Sequence, residues 1–112
     1  MIDRYRFGSV RIDGEDYHSD VIIYPDKVDG GWWRKEGHRL SVEDLRDALA
    51  AKPEILIVGK GAYGCLSIPT ETQSHIESLG IKLVAQNTKE ACETHNRLGR
   101  SARVVTCLHL TC

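Results

Sequence analysis

A short, continuous apolar run near the middle of the chain constrains the fold more than any other feature. The run Ile55–Val58 lies between Pro53 and Gly59. Apolar residues at successive positions are typical of a strand that is buried on both faces, and such strands occur mostly in parallel sheets covered by helices. The sequence therefore predicts a parallel sheet inside a layered α/β domain.

After this run, helical and extended patterns alternate. The predicted elements are a helix over 70–80, a strand over 81–86, a helix over 88–99 and a strand over 102–110. Thr70 and Thr88 are the predicted N-terminal caps of the two helices, which Gly80 and Gly99 end. Strand, helix, strand, helix, strand over residues 55–110 predicts a Rossmann-like βαβαβ core in a three-layer α/β fold.

The first part of the chain predicts an antiparallel β-hairpin that extends or caps this sheet. Two strand-like runs, Arg6–Ile12 and Tyr17–Tyr24, are joined by Asp13-Gly14, a dipeptide suited to a turn that needs positive φ. Further along, Ser41 and Asp44 have the spacing of a capping box, which predicts the start of a helix.

Length and composition favour one domain over residues 1–112. Apolar residues make up 41% and charged residues 28%, which is ordinary for a chain that folds alone. The formal net charge is -1, so we expect no nucleic-acid partner and no anionic membrane partner. With no signal-peptide pattern and no run of ~18 apolar residues, we expect a cytoplasmic protein.

The cysteines predict neither disulfides nor a metal site. Cys65, Cys92, Cys107 and Cys112 form no C-x-x-C pair, and the histidines are also scattered along the chain. Clustered ligand pairs are what preorganise a tetrahedral metal site. We therefore expect reduced thiols, no metal and no cofactor.

Three segments follow the predicted parallel strands and are expected to converge at one edge of the sheet: Gly59–Gly64, residues 86–88, and Thr111-Cys112. The first has the form G-x-G-x-x-G, which in dinucleotide-binding proteins lies before a helix. Here the next helix is predicted to begin only near Thr70, and no acidic residue follows the second strand. Both differences argue against a dinucleotide.

A small anion remains an alternative ligand for this edge. A carboxylate or phosphate can be bound by a lysine beside free backbone N–H groups and a helix N-terminus. The candidate ligand-binding residues are Gly59, Lys60, Gly61, Gly64, Arg34, Asn87, Thr88 and Cys112. The opposing interpretation is a tight glycine turn with solvated surface charges around it.

Two adjacent tryptophans give the second candidate site. Trp32 and Trp33 precede Arg34 and Lys35, and aromatic residues and arginine are enriched at protein interfaces. In extended backbone the two rings point to opposite faces, so at most one of them belongs to the core. Protein binding and structural packing both remain open for this pair.

Nucleophilic catalysis has no complete set of residues. Cys65 or Cys112 would have to meet His38 or His109, and nothing in the spacing brings a thiol and an imidazole together. His95 lies in an apolar helix stripe, where a buried or boundary histidine is expected. We therefore assign no catalytic residue.

Five segments in this order resemble one small conserved domain: Arg6–Ser9, Trp32–His38, Ile57–Gly61, Thr88–Asn96 and Leu108–Cys112. The domain is shared by uncharacterised archaeal and bacterial proteins, the human adipogenesis-associated domain-containing protein and mitochondrial complex I assembly factor 3. The resemblance implies a three-layer α/β fold without an established enzymatic activity, and eukaryotic members that act in assembly or regulation.

One position departs from this resemblance. His95 stands before Asn96 where the family pattern has an aromatic residue, usually tyrosine. Taken together, the sequence predicts a noncatalytic protein-binding or assembly domain, centred on the tryptophans. The alternative is a small-anion or small-molecule binding protein, with or without enzymatic activity, whose site lies at Gly59–Gly64.

Overall fold

The computed structural model describes residues 1–112 as a mixed α/β fold with eight strands in two sheets. The strands are β1 (Ile2–Arg6), β2 (Ser9–Ile12), β3 (Glu15–Tyr17), β4 (Val21–Ile23), β5 (Val28–Asp29), β6 (Ile55–Lys60), β7 (Lys82–Gln86) and β8 (Val104–His109). The helices are α1 (Arg46–Ala50), α2 (Thr70–Ser78) and α3 (Thr88–Leu98), and a 3₁₀ turn over Glu43–Leu45 runs into α1.

The central sheet has the order β5-β4-β8-β6-β7. Strand β6 lies between β8 and β7 and is parallel to both. Leu56 and Val58 belong to the core on one face, whereas Ile57 belongs to the core on the other. Burial on both faces explains the unbroken apolar run, and the predicted α/β class and βαβαβ order are confirmed.

Each face of the central sheet is covered by a different layer. One face packs against α1, α2 and the segment that carries Trp32 and Leu40. The other packs against α3 and the small sheet β1-β2-β3. No helix combines the length and the apolar character that crossing a membrane requires.

The predicted hairpin turn is confirmed, but its strands differ from the prediction. Asp13 (φ 49°) and Gly14 (φ 82°) form the turn between β2 and β3. The predicted strand Arg6–Ile12 contains a second turn at Gly8 (φ 81°), so β1 folds back on β2. The predicted strand Tyr17–Tyr24 spans two sheets, because β4 leaves the small sheet and pairs antiparallel with β8.

The capping box is confirmed, whereas the caps predicted at Thr70 and Thr88 are wrong. The N-cap residues of α2 and α3 are Pro69 and Asn87, and neither makes a side-chain capping hydrogen bond. The N–H of Ser41 donates to Asp44 Oδ2 at 2.9 Å, and the N–H of Asp44 donates to Ser41 Oγ at 3.4 Å. Thr88 is instead the first residue of α3, and its buried hydroxyl donates to the carbonyl of His109 at 2.6 Å. This hydroxyl joins the helix to β8 rather than capping it.

Candidate functional site

The three segments that follow the parallel strands do meet at one edge of the sheet. The N–H of Gly61 donates to Thr88 Oγ1 at 2.8 Å, and the N–H of Thr88 donates to the carbonyl of Gly61 at 3.1 Å. The N–H of Ala62 donates to the carbonyl of Thr111 at 2.7 Å. The predicted convergence of these segments is confirmed.

In the glycine loop, residues 59–64, and at the residue directly after it, backbone N–H groups donate to other segments of the same chain. The N–H of Cys65, just beyond the loop, donates to the oxygen of Cys112 at 3.0 Å. A Cβ atom on Gly61 (φ +99°) would lie 2.4 Å from the carbonyl carbon of Cys112. Glycine is needed here because this backbone comes so close. Since the N–H groups of Gly61, Ala62 and Cys65 already have acceptors, the loop is no open cradle for a phosphate.

The other predicted ligand residues of this edge are partly engaged in packing. A Cβ on Gly59 would lie 2.9 Å from Leu108 Cδ2, and a Cβ on Gly64 would lie 2.6 Å from Asn87 Oδ1. Lys60 and Asn87 are half-buried. Anion binding at this edge would therefore depend on the side chains of Lys60 and Asn87.

Arg34 lies in a buried cluster with Asp20 and His109, which we call the clamp. Arg34 Nη1 is 2.7 Å from Asp20 Oδ2, and His109 Nδ1 is 2.8 Å from the same oxygen. The N–H of Leu110 donates to Asp20 Oδ1 at 2.8 Å, and Arg34 Nη2 donates to the carbonyl of Gly37 at 3.0 Å. The clamp ties the β3–β4 connection and the tryptophan segment (residues 30–39) to β8.

The clamp holds Asp20 as a carboxylate. Burial alone would raise the pKa of Asp20, but hydrogen bonds from His109, the Leu110 N–H and Arg34 together hold the pKa below its usual value. Arg34 Nη2 lies 3.0 Å from the same His109 Nδ1, so the three side chains of the clamp all contact one another. His109 Nε2 and Arg34 Nε are buried without a hydrogen-bond partner in the protein.

The two tryptophans occupy opposite environments. Trp32 is 6% exposed, its Nε1–H donates to the carbonyl of Asp44 at 3.0 Å, and the Arg34 guanidinium lies 4.7 Å from its ring centroid. Trp33 is 76% exposed. The interface role predicted for Trp32 is corrected by its burial, because core packing and the clamp use this side chain. Only Trp33 is available on the surface.

The backbone on both sides of Trp33 is fixed. The N–H of Trp32 donates to the carbonyl of Asp20 at 3.0 Å, and the N–H of Lys35 donates to Asp44 Oδ1 at 3.0 Å. Trp33 borders a groove of about 520 Å³. The groove is lined by Ile22, Asp29, Gly31, Trp32, Trp33, Lys35, Glu43, Asp44, Arg46 and Asp47.

The structure does not join a thiol to an imidazole. The rings of His38 and His109 lie 5.8 Å apart, but no hydrogen bond connects either ring with Cys65 or Cys112. Burial raises the pKa of Cys92 to about 12. No group of three or more His, Cys, Asp or Glu side chains has a metal-binding arrangement.

Sequence reasoning missed two features. Asp20 and His109 are 89 positions apart, and only the pairing of β4 with β8 brings them together. Phe7 and Tyr63 form an exposed aromatic pair with ring centroids 6.2 Å apart. A polar residue directly before the apolar strand β4 was the one available signal for Asp20.

The family described as "Protein of unknown function (DUF498/DUF598)" matches residues 2–109. The chain belongs to this family. The DUF498/DUF598 description names no activity.

Solved structures similar to this DUF498/DUF598 chain share its whole fold. The conserved hypothetical protein PH1505 from Pyrococcus horikoshii OT3 is 30% identical with a TM-score of 0.86, over 100% of this chain and 99% of that one. A protein named MT938 is also 30% identical, with a TM-score of 0.82, over 100% and 98% of the two chains. An outer membrane protein from Bartonella henselae, 23% identical with a TM-score of 0.83 over 98% and 93%, has the same fold. The resemblance to a family of archaeal and bacterial proteins is confirmed.

Proposed function

We propose that this chain is a noncatalytic protein-binding or assembly domain whose contact surface is centred on Trp33. The observation that carries the proposal is the exposure of this side chain, at 76%, beside a tryptophan that is 6% exposed. Tryptophan is among the residues most enriched at the centres of protein interfaces, because its large ring buries much apolar area on binding.

The fixed backbone supports the proposal. The N–H groups of Trp32 and Lys35, on either side of Trp33, both have acceptors in other segments, and the clamp holds Arg34. A segment whose backbone is already fixed has little backbone conformational entropy left to lose when a partner binds. The backbone that carries Trp33 is therefore already in place for binding.

The surroundings of Trp33 also suit a protein partner. Lys35, Glu43, Arg46 and Asp47 lie around the same groove and carry both signs of charge. An apolar centre with a polar, charged rim is the usual composition of a protein interface. A partner with a shallow apolar pocket, flanked by charges of both signs, would complement this surface.

The resemblance to mitochondrial complex I assembly factor 3 supports an assembly role of this kind. This support is an analogy between domains. The cytoplasmic location expected from the sequence also stays a prediction.

Capture of partners under native conditions tests the proposal. Tagged chain is incubated with extract of the source organism in three forms: the unchanged protein, Trp33→Ser and Tyr63→Ser. Tyr63 is 74% exposed and serves as the matched control. We expect the unchanged protein and Tyr63→Ser to retain the same partner, and Trp33→Ser to lose it. Retention that does not depend on Trp33 contradicts the proposed surface.

A second candidate function, binding of a small anion, is favoured by one observation. Lys60 takes part in none of the ion pairs of the protein and is the register neighbour of His109, whose Nε2 is without a partner. Thermal-shift measurements with phosphate, nucleotides and carboxylates test it, since a ligand at 100 times its dissociation constant stabilises by about 2.7 kcal/mol. A shift that Lys60→Gln abolishes supports this candidate, and no shift with any anion rejects it.

A further inference from the structure

The outer edge of the central sheet at β7 is open. Strand β7 is the last in the sheet order and pairs only with β6. The N–H of Lys82 donates to the carbonyl of Glu54 at 3.0 Å. In a parallel pair, the backbone N–H and C=O groups of every second residue form hydrogen bonds with the neighbouring strand. The backbone groups of the residues in between point away from that strand. Since Lys82 faces β6, Leu83 and Ala85 direct their N–H and C=O groups outward.

These four outward groups have no partner within the chain. None of the hydrogen bonds outside the regular strand ladders involves the backbone of Leu83 or Ala85. Leu83 is half-buried and Ala85 is exposed. An open row of backbone donors and acceptors is the feature to which another strand can add.

The other sheet edges carry features that block strand addition. Strand β5 has only two residues, and β3 has three, of which Glu15 and Asp16 are acidic. Strand β1 has a register shift between Ile2 and Arg4 and contains three charged residues. Short length, charge and irregular register are the usual protections of an edge. By contrast, β7 has five residues in unbroken register with an uncharged centre.

We propose that β7 pairs antiparallel with β7 of a second copy of this chain. With Leu83 opposite Ala85 of the second copy, both residues form hydrogen-bonded pairs, and the two-fold axis repeats them. All four outward groups of each strand are then satisfied. Lys82 lies opposite Gln86, so no like charges meet.

The side chains are also self-complementary in this register. Leu83 packs against the core on the α2 side of the sheet, and Val84 packs against the core on the α3 side. Pairing places the large Leu83 beside the small Ala85 on one face. On the other face, Val84 meets its own copy at the close spacing of a non-hydrogen-bonded pair.

This surface is separate from the one proposed around Trp33. Strand β7 is the last strand on one side of the sheet. The N–H of Trp32 donates to the carbonyl of Asp20, which lies next to β4, and strands β8 and β6 separate β4 from β7. Self-association through β7 therefore leaves the surface around Trp33 uncovered. Failure of either proposal leaves the other standing.

The oligomeric state in solution tests the pairing. Sedimentation equilibrium of the full chain from micromolar to millimolar concentration is compared for the unchanged protein, Ala85→Pro and Ala85→Ser. Proline removes the outward N–H of Ala85, and with it two of the four intermolecular bonds, but no bond to β6. We expect a reversible dimer that Ala85→Pro weakens roughly tenfold to a hundredfold and Ala85→Ser leaves unchanged.

Amide hydrogen exchange gives a second measurement on the unchanged protein, which decides the matter even if Ala85→Pro does not fold. We expect the amides of Leu83 and Ala85 to gain protection as concentration rises, and the amide of Val84 to be protected throughout. A chain that stays monomeric at millimolar concentration overturns the proposal. A dimer that Ala85→Pro does not weaken, or in which Leu83 and Ala85 exchange freely, also overturns it.

Discussion

The glycine loop and the tryptophan segment are both irregular segments with glycine, aromatic and basic residues, yet the chain uses them differently. In the loop, backbone N–H groups at Gly61 and Ala62 are bonded to Thr88 and Thr111. In the tryptophan segment, the backbone is also fixed, but Trp33 stays on the surface. Donors that are already bonded cannot hold a ligand, whereas an exposed ring on a fixed backbone can bind.

Replacing each of the two tryptophans by alanine should give the largest difference in the free energy of unfolding within the tryptophan segment. Trp32→Ala should lower the free energy of unfolding by about 3–5 kcal/mol, because it opens a cavity in the core. Trp33→Ala should change it by no more than about 0.5 kcal/mol. Urea unfolding of both variants measures the two values. Equal losses would show that Trp33 is a packing residue like Trp32 and is not available for binding.

A methyl group at Gly61 tests whether the loop is closed around the chain. Gly61→Ala should cost about 2–4 kcal/mol, because it combines an unfavourable φ with a collision against Cys112. Gly8→Ala is the matched control, since Gly8 (φ +81°) has nothing within 4 Å of its added Cβ. Its cost should be only about 1 kcal/mol, from φ alone. Similar losses in thermal or urea unfolding would contradict the close approach.

Removing the charge of Asp20 tests the clamp that fixes the tryptophan segment. Asp20→Asn should cost about 2–3 kcal/mol, because the Arg34 charge stays buried without its carboxylate. Asp16→Asn breaks an exposed ion pair with Arg11 and should cause no measurable loss. If the two variants unfold alike, the clamp is only an incidental contact.

The pH dependence of the free energy of unfolding distinguishes the contribution of His95 from that of Asp20 in the clamp. Burial lowers the pKa of His95 to about 4, so the unfolded chain takes up the proton first, below pH ~6.5. Stability should therefore fall by about 1–3 kcal/mol between pH ~6.5 and ~4. His95→Gln should remove this fall, and the control His75→Gln, at an exposed position, should keep it.

Asp20 affects the free energy of unfolding at a lower pH than His95 does. Because its pKa in the folded protein is lowered, its contribution is complete above the unfolded value near 3.9 and is lost as pH falls further. Asp20→Asn should flatten only that part of the curve. A loss of slope above pH ~5 in this variant would show that Asp20 is not held as a carboxylate.

Local patterns were enough to predict the βαβαβ core. The apolar run Ile55–Val58, the capping box at Ser41 and the left-handed Gly80 (φ 76°) each act within a few residues, and each is present in the structure. Alternation also predicted that at most one of Trp32 and Trp33 is buried. It did not say which one, because the Asp44 carbonyl that accepts the Trp32 Nε1–H is 12 positions away.

Features that depend on distant pairing could not be predicted. Strand β4 looked like a continuation of the hairpin, since its apolar residues suit either sheet, but it pairs with β8. The clamp follows from that pairing. The glycine loop matches a ligand-binding pattern in the sequence. The sequence does not show that Thr111 accepts the N–H of Ala62, or that Cys112 accepts the N–H of Cys65 just beyond the loop. Of the two tryptophans at the centre of the predicted site, only Trp33 stays on the surface.

The affinity of the captured partner for the unchanged protein and for Trp33→Ala shows whether Trp33 is the centre of the interface. We expect the dissociation constant of Trp33→Ala to be at least roughly 30-fold larger, as for a central interface residue, with unchanged thermal stability. Equal affinities for the two proteins would contradict a central role of Trp33.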